Sequence, residues 1–490
     1  MPRPSAFYLG AVAWGAFAAT LVASCTSDTD SGPRRDGSSG APDATFAEQG
    51  MPDIDSALVD RPVIPFDDAS MPLPNTFCSL PGSIVSTASG LMIVPGESDA
   101  EAPDPMTLRW LNVPPGFCVH FFAQVPEVRQ LRFAPGGDLF AASPSTPCSG
   151  GAVDGLGAIF VLPDDDHNGV ADSLTPFLSA ATTPSQTISS TQGLAFGGGY
   201  FYFQDGTIIR RVPFSAGDRK PSGAITAVTT ITAPQASDHW PKVLDFAQDG
   251  TLYITNGSTQ GQTCLSSSSP SYVPVFGAVF KLDPGGSTGE VANGFRNPIA
   301  LRCEPDHDVC LAAELALDGS GSNGGREKLV PVRQGDNWGF PCCATQGTPY
   351  TGTTYADTGQ TPNCSTVAEE TVSFVIGHTP FGIDFETGQW PPPWTGRVFV
   401  TLHGDVGTWD GARVVGIAKD PNTGLLLPAS ELPGGSSNAN DMLDFATGWD
   451  DGNQDEGRPA PVTFAPDGRM FLGDDMKGVI VWIAPVTLPQ

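Results

Sequence analysis

Four oxygen-bearing side chains with regular spacing stand out: Asp164, Asp166, Asn168 and Asp172 alternate around Gly169 in Asp-Asp-Asp-His-Asn-Gly-Val-Ala-Asp. Counted from Asp164, oxygen ligands occupy loop positions 1, 3, 5 and 9 with glycine at 6, the opening of an EF-type loop that wraps a hard calcium ion. Thr175 stands where the closing glutamate belongs, so the expectation is a structural calcium loop, against the plainer reading of an acidic turn in an acidic protein. Proton transfer near neutral pH points to histidine, of which the chain has six. Taken alone, His239 reads as a histidine capping a strand. Lys and Arg total 24 against 53 Asp and Glu, so an arginine in a motif loop is more informative than usual. Arg129, Arg296 and Arg458 are such arginines; the plainer reading pairs each with a nearby acid.

The formal charge of −29 excludes nucleic acid as a partner, since phosphate binding needs a basic surface, and it suits solubility. Beside Cys25 stand nine cysteines, which in an oxidising compartment should mostly pair, leaving one over. Cys303 and Cys310 flank a short turn and are expected to bond, as are Cys78 and Cys118 at the start of the folded region. A zinc site is the alternative, but two CxxC pairs are missing.

The elements that must position these groups repeat. An apolar residue, a turn rich in Pro, Asp and Gly, and a β-rich run recur at 133–140, 196–202, 246–253, 303–310 and 464–471. A sixth, stretched copy runs from Gly382-Ile383-Asp384-Phe385 through a Pro-rich insertion to Val398-Phe399-Val400. Asp-Gly between alternating runs signals a hairpin, because glycine supplies the positive φ of a tight turn. The starts at 133, 196, 246 and 303 lie 63, 50 and 57 residues apart, a regularity that implies blades packed around an axis with long connecting loops. The expected fold is all-β, a six-bladed β-propeller; a pair of β-sandwiches is the alternative. With 58 Gly and 47 Pro, no long segment shows a helical period.

Residues 1–24 read as an export signal, with Arg3 ahead of an uncharged run from Ala6 to Ser24. Leu21-Val22-Ala23-Ser24-Cys25 resembles a bacterial lipobox, which implies cleavage before Cys25 and a lipid anchor there. The competing reading is a retained membrane helix, which needs about 20 apolar residues. The lipobox is preferred because the run is rich in Ala and Gly and stops at a cysteine followed by small polar residues. Residues 25–75 are a polar linker too poor in large apolar residues to order itself, and 76–490 form the propeller.

At the repeats the chain resembles the glucose/sorbosone dehydrogenase family, and the likeness runs from Pro114 to Pro485. It is carried by Pro114-Pro115-Gly116-Phe117 with Arg129-Gln130-Leu131, which resembles the family's first blade, and by Asp238-His239. Gly294-Phe295-Arg296-Asn297-Pro298, Gly335-Asp336-Asn337-Trp338-Gly339-Phe340-Pro341, Leu402-His403-Gly404 and Arg458-Pro459 complete it. The resemblance implies pyrroloquinoline quinone over the central channel, held by basic side chains and calcium, with a sugar as substrate and a separate electron acceptor. His239 is then the general base that takes the proton of the sugar's anomeric hydroxyl. Arg296, Asn297 and Arg458 contact the cofactor, a tricarboxylate with a reducible carbonyl that suits fixed planar cations. Arg129 is a looser contact.

Two departures separate this chain from the glucose branch. His403 stands where that branch has a lysine, as in the sorbosone-like branch, and histidine binds a carboxylate only when protonated or through one hydrogen bond. Ser258 replaces an aspartate, so it can orient His239 but cannot stabilise an imidazolium by charge. Backbone carbonyls near Glu314 and Leu315 fall where the family binds its cofactor-site calcium, without the glucose-type Gly-Pro pair. The competing functions are a propeller that lost its cofactor and serves as a cell-surface binding module, and a calcium-dependent propeller lactonase, which would need carboxylates rather than arginines at the channel mouth.

Overall fold

A computed structural model describes residues 63–64 and 77–487, apart from 97–102, 146–154, 180–187, 189, 232–238, 259–262, 270–276, 283–287, 406, 433–440, 451 and 453–455. The export signal, Cys25, Cys148 and Asp238 lie outside the described residues.

Each of the six turn motifs joins the two innermost strands of one blade. The hairpins are Gln130–Phe133 with Leu139–Ser143, Leu194–Gly197 with Tyr200–Asp205, Leu244–Phe246 with Leu252–Asn256, Asn297–Cys303 with Cys310–Leu315, Pro380–Phe385 with Val398–Leu402, and Pro459–Phe464 with Met470–Asp474. At the Asp-Gly turns the aspartate accepts from the backbone two residues on, as Asp249 does from Thr251 N at 2.8 Å, while Gly250 takes φ 83°. The fourth hairpin has no Asp-Gly turn and is stapled instead: Cys303 and Cys310 stand opposite each other in register and are disulfide-bonded. The stretched insertion of the fifth folds around Glu386, whose carboxylate accepts from Trp390 N at 2.8 Å, with Trp390 and Trp394 buried beneath it.

The inner strands contact one another in cyclic order, blade 1 against blades 2 and 6, so the ring closes. They run side by side in the same direction: Gly193 faces Lys242 and Gly197 faces Phe246 across blades 2 and 3, and Gly382 faces Ala460 and Val462 across blades 5 and 6. Six apolar cores fill the six blade interfaces, one between each neighbouring pair. Second strands are therefore buried on both faces and read as near-continuous apolar runs, such as Val398–Leu402.

Closure corrects one expectation. Phe117–Gln124, which Pro114 to Gly116 lead into, pairs antiparallel with Val479–Pro485 as the fourth strand of blade 6 instead of opening blade 1. Binding the two ends of the propeller in one sheet ties off the ring. Outside it, Ile84–Thr87 and Gly90–Ile93 extend the sheet, and Val63–Ile64, within the expected linker, pairs in parallel with Leu91–Met92. The Cys78–Cys118 disulfide forms as expected and fastens this extension to the closing strand.

Two further disulfides, Cys264–Cys342 and Cys343–Cys364, build a lobe. Its lead-in is the segment Gly335 to Phe340, which runs along the outer strand of blade 3: Asn293 N donates to Asp336 O, Trp338 N to Asn293 O, and Phe340 N to Gly294 O.

Candidate active site

Because all inner strands run alike, the residues just before them, and those just after the second strands, share one end of the channel. Arg129, His239, Arg296 and Arg458 precede the inner strands of blades 1, 3, 4 and 6; Asn297 begins that of blade 4, and His403 follows the second strand of blade 5. All six are buried, none more than 4 % exposed. At the other ends of the inner strands a buried ion network closes the channel: Arg302 joins Asp384 at 2.6 Å and Asp245 at 3.1 Å, and Arg132 lies 3.7 Å from Asp245.

His239 Nδ1 lies 2.6 Å from the Ser258 backbone carbonyl, to which it donates. That bond places the lone pair on Nε2. The ring is therefore aimed by main chain, and the Ser258 hydroxyl expected to do so is not what aims it. Burial, reinforced by the neighbouring Arg296 guanidinium and opposed by the Ser258 carbonyl, holds the imidazole down to about 3. Gly257 makes the close approach possible: a Cβ there would overlap His239 Cβ and reach within 2.9 Å of Asn297 Oδ1.

Arg296 is held at both ends. Its backbone N donates to Glu314 Oε1 at 2.7 Å, and its guanidinium to the Ala316 carbonyl at 2.8 Å and to Asp318 at 3.1 Å. Burial raises the Glu314 carboxyl above its ordinary range.

The other three predicted contacts meet around a residue that motif reading missed, Asp475. His403 Nε2 donates to it at 3.0 Å, Arg129 pairs with it directly, and the Arg458 charge acts on it. Burial works against the Asp475 charge, yet these neighbours hold its carboxyl below the usual range. His403 is pushed down to about 4 by burial and Arg458, so at neutral pH it is a neutral hydrogen-bond donor. Arg458 donates to the carbonyls of His403 at 2.9 Å and Gly404 at 2.6 Å and lies 4.8 Å from the centre of Trp409. Phe381 floors the cluster, 4.3 Å from Arg129 and 4.7 Å from His403, and packs with Ile299 and Ala460 of the adjoining blades. A signal for Asp475 was available: the last hairpin pairs Pro459 with Asp474, which sets Arg458 opposite Asp475.

Buried polar atoms without hydrogen-bond partners gather at this mouth: both amide atoms of Gln192, Thr191 Oγ1, Arg296 Nε and Asn297 Oδ1. Such atoms are costly unless a ligand or water meets them. Three carboxylates stand within ion-pair range of these guanidinium groups, Asp475 and Glu127 at Arg129 and Asp318 at Arg296, so the charges balance. Gln192 and Thr191, just before the inner strand of blade 2, carried no sequence signal beyond their position.

The expected calcium loop lies apart, at the edge of blade 1. Its side chains are turned onto their own loop: Asp172 accepts from Asp165 N at 2.6 Å, Asp166 from Asn168 N at 3.1 Å, Asp164 from Gly169 N at 3.3 Å, and Asn168 from Val170 N at 2.8 Å. Among the described residues no group of three His, Cys, Asp or Glu side chains that could hold a metal ion is found.

Comparison with known proteins agrees with this architecture. The holo form of the pyranose dehydrogenase PQQ domain from Coprinopsis cinerea is 15 % identical, with a TM-score of 0.59 over 81 % of this chain and 99 % of that one. A calcium structure of a Trichoderma reesei carbohydrate-active enzyme of family AA12 is 17 % identical, with a TM-score of 0.57 over 76 % of this chain and 97 % of that one. A search of curated proteins finds no match. Residues 204–404, a narrower span than the motifs suggested, match the family described as Glucose / Sorbosone dehydrogenase.

Proposed function

We propose that this protein is a quinone-dependent oxidoreductase that oxidises an aldose or related sugar aldehyde. The observation that carries the reading is His239: a buried imidazole, its proton fixed on Nδ1 by the Ser258 carbonyl, beside the Arg296 cation. The unpartnered Arg296 Nε, a donor, fits a carboxylate oxygen of a tricarboxylate. Arg296, Asn297, Arg458, Arg129 and His403 would hold it. Pyrroloquinoline quinone, when bound, supplies a two-electron acceptor for hydride. His239 Nε2 takes the proton of the sugar's anomeric hydroxyl, and its low basicity keeps it unprotonated at neutral pH. Arg296 steadies the negative charge that develops in the site.

A second reading has its own observation. Asp475 already occupies Arg129 and His403, as it would in a propeller that binds no anionic cofactor and serves as a binding module. The four disulfides support an oxidising compartment, as does the export signal, and the lipid anchor at Cys25 would keep the chain in the cell envelope. Among the described residues no helix is long and apolar enough to cross a membrane.

The test is to incubate the chain without its signal with pyrroloquinoline quinone and calcium, then follow dye reduction across a panel of aldoses. Cofactor-dependent reduction and quinone retained on a desalting column are expected. Absence of both would leave the binding-module reading.

A further inference from the structure

A second cavity opens at the same end of the propeller, between blades 5 and 6. It measures about 210 Å³ and is walled mainly by Trp110, Trp449, Leu108, Leu472 and Val481, with Asp474, Lys477, Gln124 and Thr107 as its polar wall residues. Trp110 and Trp449 meet edge to face at 5.3 Å. This lining is mostly apolar and has room for a single substituted ring, which disfavours a sugar or a polyanion.

Asp474 supplies the polar contact. Its oxygens accept from Trp449 Nε1 at 3.1 Å and Lys477 N at 2.8 Å. Burial pushes its carboxyl up to about 8, so at neutral pH it keeps its proton and its O–H can donate. The cation nearby, Lys477 Nζ, is paired with Glu456 at 2.8 Å and lies 5.8 Å from the Trp110 ring centre. A ligand matched to these walls is a neutral aromatic ring with a carbonyl that accepts a hydrogen bond.

Asp474 and Asp475 are successive residues at the end of one strand, so their side chains leave opposite faces. Asp475 turns to Arg129 and His403, and Asp474 turns to the cavity. One strand thus separates the cavity from the proposed cofactor chamber.

We propose that this cavity binds a small neutral quinone, the terminal electron acceptor of the sugar oxidation. The role rests on the oxidoreductase reading above; the binding does not. The balance is simple: a sugar hemiacetal loses two electrons and two protons as it becomes a lactone, and a quinone gains two of each as it becomes a hydroquinone.

The test is calorimetric titration of tetramethyl-1,4-benzoquinone into the chain without its signal, with neither pyrroloquinoline quinone nor sugar present. Saturable binding is expected, with 1,2,4,5-tetramethylbenzene, which lacks the carbonyls, binding at least about tenfold more weakly. Thr107 is exposed at the cavity rim, so Thr107→Phe should block the opening without disturbing the fold, and should weaken quinone binding by about tenfold or more. No saturable binding, equal binding of the hydrocarbon, or unchanged binding in Thr107→Phe would each overturn the proposal. Quinone binding without any sugar oxidation would sink the oxidoreductase reading and leave the site standing. Dye-linked oxidation without quinone binding would do the reverse.

Discussion

His403 and Asp475, 72 residues apart in the chain, meet at 3.0 Å inside the channel mouth. Their contact joins the second strands of blades 5 and 6 at the point where Arg129 arrives from blade 1. Asp475 is the anion around which that cluster is assembled. Its removal should therefore be felt first as lost stability.

Asp475→Asn removes the closer of the two carboxylates paired with Arg129, leaving Glu127 at 3.9 Å, and takes one of the charges acting on Arg458. Breaking a buried pair by removing one partner costs about 3–5 kcal/mol, and urea unfolding should show a loss of that size. Added polyanions such as citrate should restore part of it by taking the vacated charge position. Unchanged unfolding would mean that Asp475 does not organise the cluster.

His239→Gln keeps the shape of the chamber and removes the base. Turnover should fall about 100- to 10,000-fold, the usual contribution of a positioned acid–base group, while pyrroloquinoline quinone stays on the protein through desalting. Loss of both properties would show that His239 is not acting as the base.

Arg296→Gln removes a cation that helps to depress His239. With six histidines in the chain, the His239 ring protons can be assigned and titrated by NMR. In the parent the imidazole should stay neutral down to about 3, and in the variant its titration should move upward. The sign for stability follows: the folded pKa lies below the unfolded value of about 6.5, so this residue's contribution is full above about 6.5 and erodes as pH falls toward 3. A titration that does not move would remove Arg296 as a cause.

Gly257→Ala drives a methyl group into His239 Cβ and toward Asn297. Overpacking of this kind costs about 1–3 kcal/mol, and the base would be displaced along with the backbone. A drop in kcat larger than the rise in KM, with the melting transition still cooperative, is the expected pattern. Full activity in the alanine variant would show that the approach is not needed.

The blades were legible because their signal is local. Asp-Gly turns need a positive φ, alternating runs need a partner strand, and the regular spacing leaves few other ways to bury both faces; all six hairpins followed from that. The position of His239, Arg296, Asn297 and Arg458 at hairpin starts was legible because ordered motifs mark those starts, while their roles rest on the resemblance. Asp475 was missed although hairpin register sets it opposite Arg458, because an aspartate in so acidic a chain draws no notice.

By itself the sequence determined six hairpins, their order and the basic residues at their starts, since turn geometry and strand alternation act over a few residues. The tertiary structure decided which residues share a chamber: that Arg129 and His403 converge on Asp475, that a backbone carbonyl aims His239, and that Phe117–Gln124 closes the last blade. Those contacts join residues from different blades, and closing the ring is what brings such distant strand ends to one axis.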